Sequence, residues 1–168
     1  TALRWATRHP GAAAGLIISG SGVRPASEAM PAPPKPLDPE RLYIPFGDSF
    51  TPQFEAQQPD MHARYYRIRS TATRIEALRH PRKASAKTVA ERGGMLETVK
   101  RITSPMQIIT GDLDTALDGA KGLQAARPDA RYAQMAGAPH NAYWEMAQEW
   151  NAVASAFLDS VMAGVAAR

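Results

Sequence analysis

The sequence contains no cysteine in its 168 residues, which excludes disulfide frameworks and thiolate metal sites. Histidine is scarce. The 4 present are His9, His62, His80 and His140, and none stands at a ligand spacing such as H-x-x-x-H. No metal of those kinds is therefore expected, and no motif in the sequence implies an organic cofactor. No apolar run reaches the roughly 18 residues of a membrane span, and no secretory signal is evident, so the expected setting is cytoplasmic. Aromatic residues make up only 7% and do not interleave with the scattered arginines. The net charge of +4 thus reads as solvated surface rather than a nucleic-acid footprint.

What is present is a chain with 44% apolar residues, long enough to bury a sizeable core. It opens at Thr1 inside a helix-like pattern, which reads as a processed or truncated start. "ALRWATRH" at 2–9 predicts a helix closed by Pro10-Gly11, and Leu16-Ile17-Ile18 predicts a strand buried on both faces, as in a parallel sheet. Between Val23 and Pro39 the prolines forbid regular helix and central strand. From about Arg41 to Arg92 the chain is polar and rich in arginine. "MHARYYRIRSTATRIEALRH" predicts helix there, with apolar positions too sparse for a core of its own.

Gly93-Gly94 marks a reset. A short helix ("MLETVKRI"), a strand after Pro105 ("MQIIT"), a helix over 116–126, a strand in "ARYAQMAG" and a long amphipathic helix over 142–163 follow. Helices alternating with buried strands predict an α/β layer architecture with a parallel sheet.

Open α/β sheets place their chemistry just beyond the carboxyl ends of strands. Asp114 follows "MQIIT", and His140 follows the strand ending at Met135. An acid and a base on neighbouring strand ends can form a pair in which the carboxylate fixes the imidazole tautomer and stabilises the imidazolium. A turn or cap role would also account for Asp114, Asp112 competes for either role, and a lone loop histidine is often a surface group.

The stretch "SPMQIITGDLD" followed by "GAPHNAYWEMAQEWNAVASAFL" resembles the end of an α/β-hydrolase. In that family a strand end of the form P-x-x-h-h-h-G-x-x-D supplies the triad acid. A histidine loop then supplies the base, ahead of a helix with an E-x-x-x-x-(F/W)-N pattern. The resemblance puts the acid at Asp114 and the base at His140, with Trp144-Glu145 and Trp150-Asn151 as the helix signature. "TALRWATRHPGAAAGLIISGSG" resembles the helix and strand just after the nucleophile elbow. The resemblance thus implies the C-terminal half of a hydrolase sheet: core over 1–25 and 98–168, with a helical cap (lid) inserted over 26–97. Its motifs are most similar to those of meta-cleavage-product hydrolases, which cut carbon–carbon bonds and bind a substrate carboxylate through a cap arginine. That role would fall to Arg67, with Arg64 and Arg69 as rivals, while Trp144 would pack near the substrate.

The G-x-S-x-G elbow and the oxyanion loop have no counterpart in the sequence, and Gly137-Ala138-Pro139 departs from the family's glycine just before the histidine. "FGDSF" at 46–50 does not follow a clear strand and reads as coincidence, and Ser19 and Ser21 read as a turn near the site. The expected enzyme is a hydrolase of an ester or activated carbon–carbon bond in a small organic substrate. Its nucleophile would come from an N-terminal segment or chain. Alternatives are an epoxide hydrolase or haloalkane dehalogenase with an aspartate nucleophile, an enzyme using Thr1 as nucleophile, or a non-catalytic binding protein. The expected partners are the small-molecule substrate and that N-terminal half. Nucleic acid and membrane are not expected, and homo-oligomerisation stays open.

Overall fold

The computed structural model describes residues 2–23, 49–72 and 95–166. The Pro-rich stretch, the predicted helix beyond residue 72 and the Gly93-Gly94 reset lie largely or wholly outside them. In chain order the described elements are α1 (Ala2–Arg8), β1 (Leu16–Ser19), α2 (Pro52–Gln57), α3 (Pro59–Ala72) and α4 (Met95–Val99). Then come β2 (Met106–Gly111), α5 (Leu117–Ala126), β3 (Arg131–Met135), α6 (Ala142–Glu145) and α7 (Ala147–Ala166).

The three strands form one parallel sheet in the order β1-β2-β3. Ile18 stands opposite Ile108, and Ile108 opposite Tyr132. All six residues of β2 are buried, as in a strand covered on both faces: Met106, Ile108 and Ile109 are apolar, and the Gln107 and Thr110 side chains donate to backbone carbonyls. Alternation sends successive side chains to opposite faces. Ile108 joins Leu3, Ala6, Ile18, Val99, Met106 and Leu123 beneath α1, α4 and α5. Ile109 joins Met135, Ala138, Ala142 and Ala154 on the other face, where α7 lies. The architecture is α/β, with helices on both faces of a small parallel sheet.

Two differences from the sequence reading concern helices. The long helix expected from residue 142 is broken at Met146, whose φ of −116° and ψ of 49° end α6 before α7 begins. The break lets α6 serve a different neighbour: Trp144 packs with residues 50–66, while Val153 and Ala154 of α7 pack against the sheet. The second difference is an unforeseen short helix, α2. Thr51 caps it, its hydroxyl accepting the Phe54 N–H at 3.1 Å, with Pro52 in the first turn.

The stretch 49–72 does not stand alone. Phe50, Phe54 and Tyr65 are buried with Tyr66 around them, and Trp144 from α6 completes the cluster. Edge-to-face ring contacts dominate, such as Phe50 with Tyr65 at 4.8 Å and Tyr65 with Trp144 at 5.5 Å.

Candidate functional site

β2 and β3 deliver Asp114 and His140 to the same end of the sheet. Beyond β2 the chain turns at Asp112-Leu113, with the Leu113 N–H donating to the Ala138 carbonyl at 3.1 Å. This bond draws the loop after β2 onto the loop after β3. Gly111 permits the approach, because a Cβ there would fall 1.9 Å from the Ala138 carbonyl oxygen. His140 then sits inside a four-residue turn closed by the Ala142 N–H on the Pro139 carbonyl at 3.2 Å.

The result is a direct side-chain pair. His140 Nδ1 lies 2.8 Å from Asp114 Oδ1. Asp114 is buried, with 1% of its side chain exposed, whereas 41% of the His140 side chain is exposed. Asp114 Oδ1 also accepts the Ala116 N–H at 2.8 Å, so the turn role and the His140 contact belong to one carboxylate. Asp112 stays exposed and takes no part. Burial pushes the Asp114 carboxyl up. The hydrogen bonds from His140 and Ala116 and the charge of a protonated imidazole outweigh it, and hold the group below the usual carboxylate range. Its Oδ2 is buried with no hydrogen-bond partner among the described residues.

An ionised Asp114 accepts from Nδ1–H, which leaves Nε2 as the basic nitrogen of a neutral ring. No hydrogen bond reaches Nε2 among the described residues. The turn after β1 lies against the same imidazole. Gly20 has a φ of +54°, and a Cβ there would come 3.2 Å from His140 Cε1. Only glycine adopts that conformation readily and leaves the ring its room. Ser19 in this turn accepts the Trp150 indole N–H at 3.0 Å, which ties β1 to α7.

Four residues after His140, namely Asn141, Tyr143, Trp144 and Glu145, engage the stretch 49–72. The Asn141 N–H donates to the Ser49 carbonyl at 3.0 Å. The Glu145 carboxylate accepts both the Thr51 N–H, at 3.0 Å, and the Thr51 hydroxyl. The Trp144 indole N–H donates to the Met61 carbonyl at 3.3 Å. The Tyr65 hydroxyl donates to Asn141 Oδ1 at 3.3 Å, stands 3.2 Å from the Tyr143 hydroxyl and accepts from Arg69 at 2.9 Å. Burial and the bond with Tyr65 push the Tyr143 phenol far above its ordinary value, so it stays protonated in any ordinary buffer.

Of the three arginines singled out in the sequence, Arg69 therefore reaches this network. Arg67 is exposed on α3, two residues after Tyr65 and so about 200° around the helix from it. Arg64 is exposed too. Trp144 sits between Tyr65 and Met61, packed rather than open. Sequence reasoning did not anticipate Asn141, Tyr65, Tyr143 or the Thr51–Glu145 bond. Only Glu145 carried a signal, through the helix pattern, and a contact 94 positions away has no local signature.

Among the described residues, no group of three or more His, Cys, Asp or Glu could hold a metal ion, and no helix is long and apolar enough to cross a membrane. Compared with known proteins, the sequence matches no family model and no curated protein.

Proposed function

We propose that this chain carries the base and acid of a hydrolase whose catalytic unit is a nucleophile–His–Asp triad on an α/β-hydrolase sheet. The observation that carries the reading is the 2.8 Å contact between His140 Nδ1 and the buried Asp114 carboxylate, made at the ends of adjacent parallel strands. The imidazole's exposure and unengaged Nε2 support it. In this mechanism Nε2 takes the proton of an attacking hydroxyl and later returns it to the leaving group. Asp114 keeps the proton on Nδ1 and stabilises the imidazolium between those two events.

The nucleophile is proposed to lie outside residues 1–168, because no G-x-S-x-G elbow occurs among them. The substrate class is a small organic molecule with an ester or an activated carbon–carbon bond, and the stretch 49–72 acts as part of a cap over the His140 loop. An aspartate nucleophile, as in epoxide hydrolases and haloalkane dehalogenases, would use the same pair.

The test is labelling of the full chain with a fluorophosphonate probe. The expected result is covalent label on a serine outside residues 1–168, reduced at least about 100-fold in rate by His140→Asn and by Asp114→Asn. Undiminished labelling in His140→Asn overturns the base assignment. Label mapped to Ser21 overturns the external nucleophile. Absence of label with turnover of an epoxide or haloalkane replaces the serine with an aspartate.

A further inference from the structure

The turn that presents His140 has two anchors. One is the Asp114 carboxylate on the imidazole itself. The other is Asn141, the next residue, which is 2% exposed and holds no bond to the sheet through its side chain. Its N–H is held by the Ser49 carbonyl and its Oδ1 by the Tyr65 hydroxyl. Both partners belong to the stretch 49–72. The Asn141 amide nitrogen is buried and finds no partner among the described residues, so the side chain depends on the Tyr65 bond for its orientation.

Resting on the assignment of His140 as base, we infer that Asn141 is a positioning residue that couples the stretch 49–72 to the imidazole. His140 and Asn141 are the two central residues of one turn, so a shift of the Asn141 backbone rotates the peptide that carries the ring. Two contacts make the ring follow such a shift. Gly20 bounds it near Cε1, and Asp114 holds Nδ1. Movement of the stretch 49–72 therefore changes the Nδ1–Asp114 bond and the direction of Nε2 together. Catalytic proton transfer is sensitive to displacements well under an ångström, so docking of this stretch sets whether the base is aligned. Arg69 and Tyr143, on either side of the Tyr65 hydroxyl, fix the donor that does this.

The test uses the full chain labelled with 15N-histidine and reads the downfield proton resonance of His140 Nδ1–H. Two variants are informative. Asn141→Ala removes the anchor. Tyr65→Phe removes a single hydroxyl and keeps the ring in its aromatic cluster, so folding survives. Both are expected to move or broaden the His140 line. Both should also lower kcat for ester hydrolysis by about tenfold with KM changed less than about twofold. Tyr132→Phe, whose hydroxyl bonds Gln134 alone among the described residues, should change neither. A His140 line unmoved in folded Tyr65→Phe overturns the coupling, whatever happens to turnover. Hydrolysis retained by His140→Asn would instead overturn the base assignment, and the resonance would still decide the coupling.

Discussion

Asp114 sets the acid sensitivity of the site. Its folded pKa lies below the ordinary carboxylate value, because the bonds from His140 and Ala116 favour the anion more than burial opposes it. The sign follows from linkage: the contribution is fully present above about pH 4 and is lost as pH falls through the lowered folded value. Asp114→Asn removes this dependence. Urea melts should therefore show a stability gap between wild type and Asp114→Asn near pH 6 that narrows toward pH 2. A gap constant across that range would mean that the carboxylate has no such preference. At the opposite end of the strands, Arg127 is buried, forks onto both oxygens of Asp129 at 2.8 and 2.6 Å and donates to the Ser104 carbonyl at 3.3 Å. Asp129 is mostly exposed, so solvent screens the ion pair, and the bond to Ser104 with the packing of the stem carries most of the effect. Arg127→Ala should cost about 1–3 kcal/mol in denaturant unfolding and leave the His140 resonance in place.

Elements were legible where period and length agreed. The apolar run of β1 marked a strand, although only Ile18 within it is buried and the doubly covered strand is β2. The helices closed by proline or glycine follow from local chemistry, and so does the parallel arrangement their alternation implies. The break at Met146 was not legible, because the residues from 142 to 163 carry one amphipathic pattern. Only the distant Ser49–Met61 stretch, gripping Asn141, Trp144 and Glu145, separates α6 from α7. The strand ends pointed to Asp114 and His140, but the side of α3 that meets Asn141 and Trp144 follows from the packing of Tyr65, which no spacing announces. Two substitutions test the elements themselves. Gly111→Ala would drive a methyl into the Ala138 carbonyl, costing about 1–3 kcal/mol and displacing the His140 loop, as thermal melts and the His140 resonance would record. Phe157→Ala removes the largest buried side chain of α7 and should cost about 3–5 kcal/mol without moving that resonance.

For the molecule as a whole, the sheet has one enclosed strand and two edges. β1 and β3 each pair with β2 alone among the described residues, and each keeps an outer edge unmatched. Such an edge accepts strands from other chains. Residues 1–168 expressed alone should self-associate in light scattering, and adding the segment proposed to bear the nucleophile should suppress it. Met162→Lys, on the exposed side of α7, should leave the association unchanged if the edge drives it. The seat of Trp144 has an optical consequence. Its indole is pinned between the Met61 carbonyl and the Tyr65 ring, so its emission belongs jointly to the sheet layer and to the stretch 49–72. With Trp5 and Trp150 replaced by phenylalanine, residues 1–168 would carry one tryptophan, placed where those two parts meet and excitable apart from the tyrosines at the red edge of its absorption. Stopped-flow recording of its intensity would then time their separation and return directly, with no label attached.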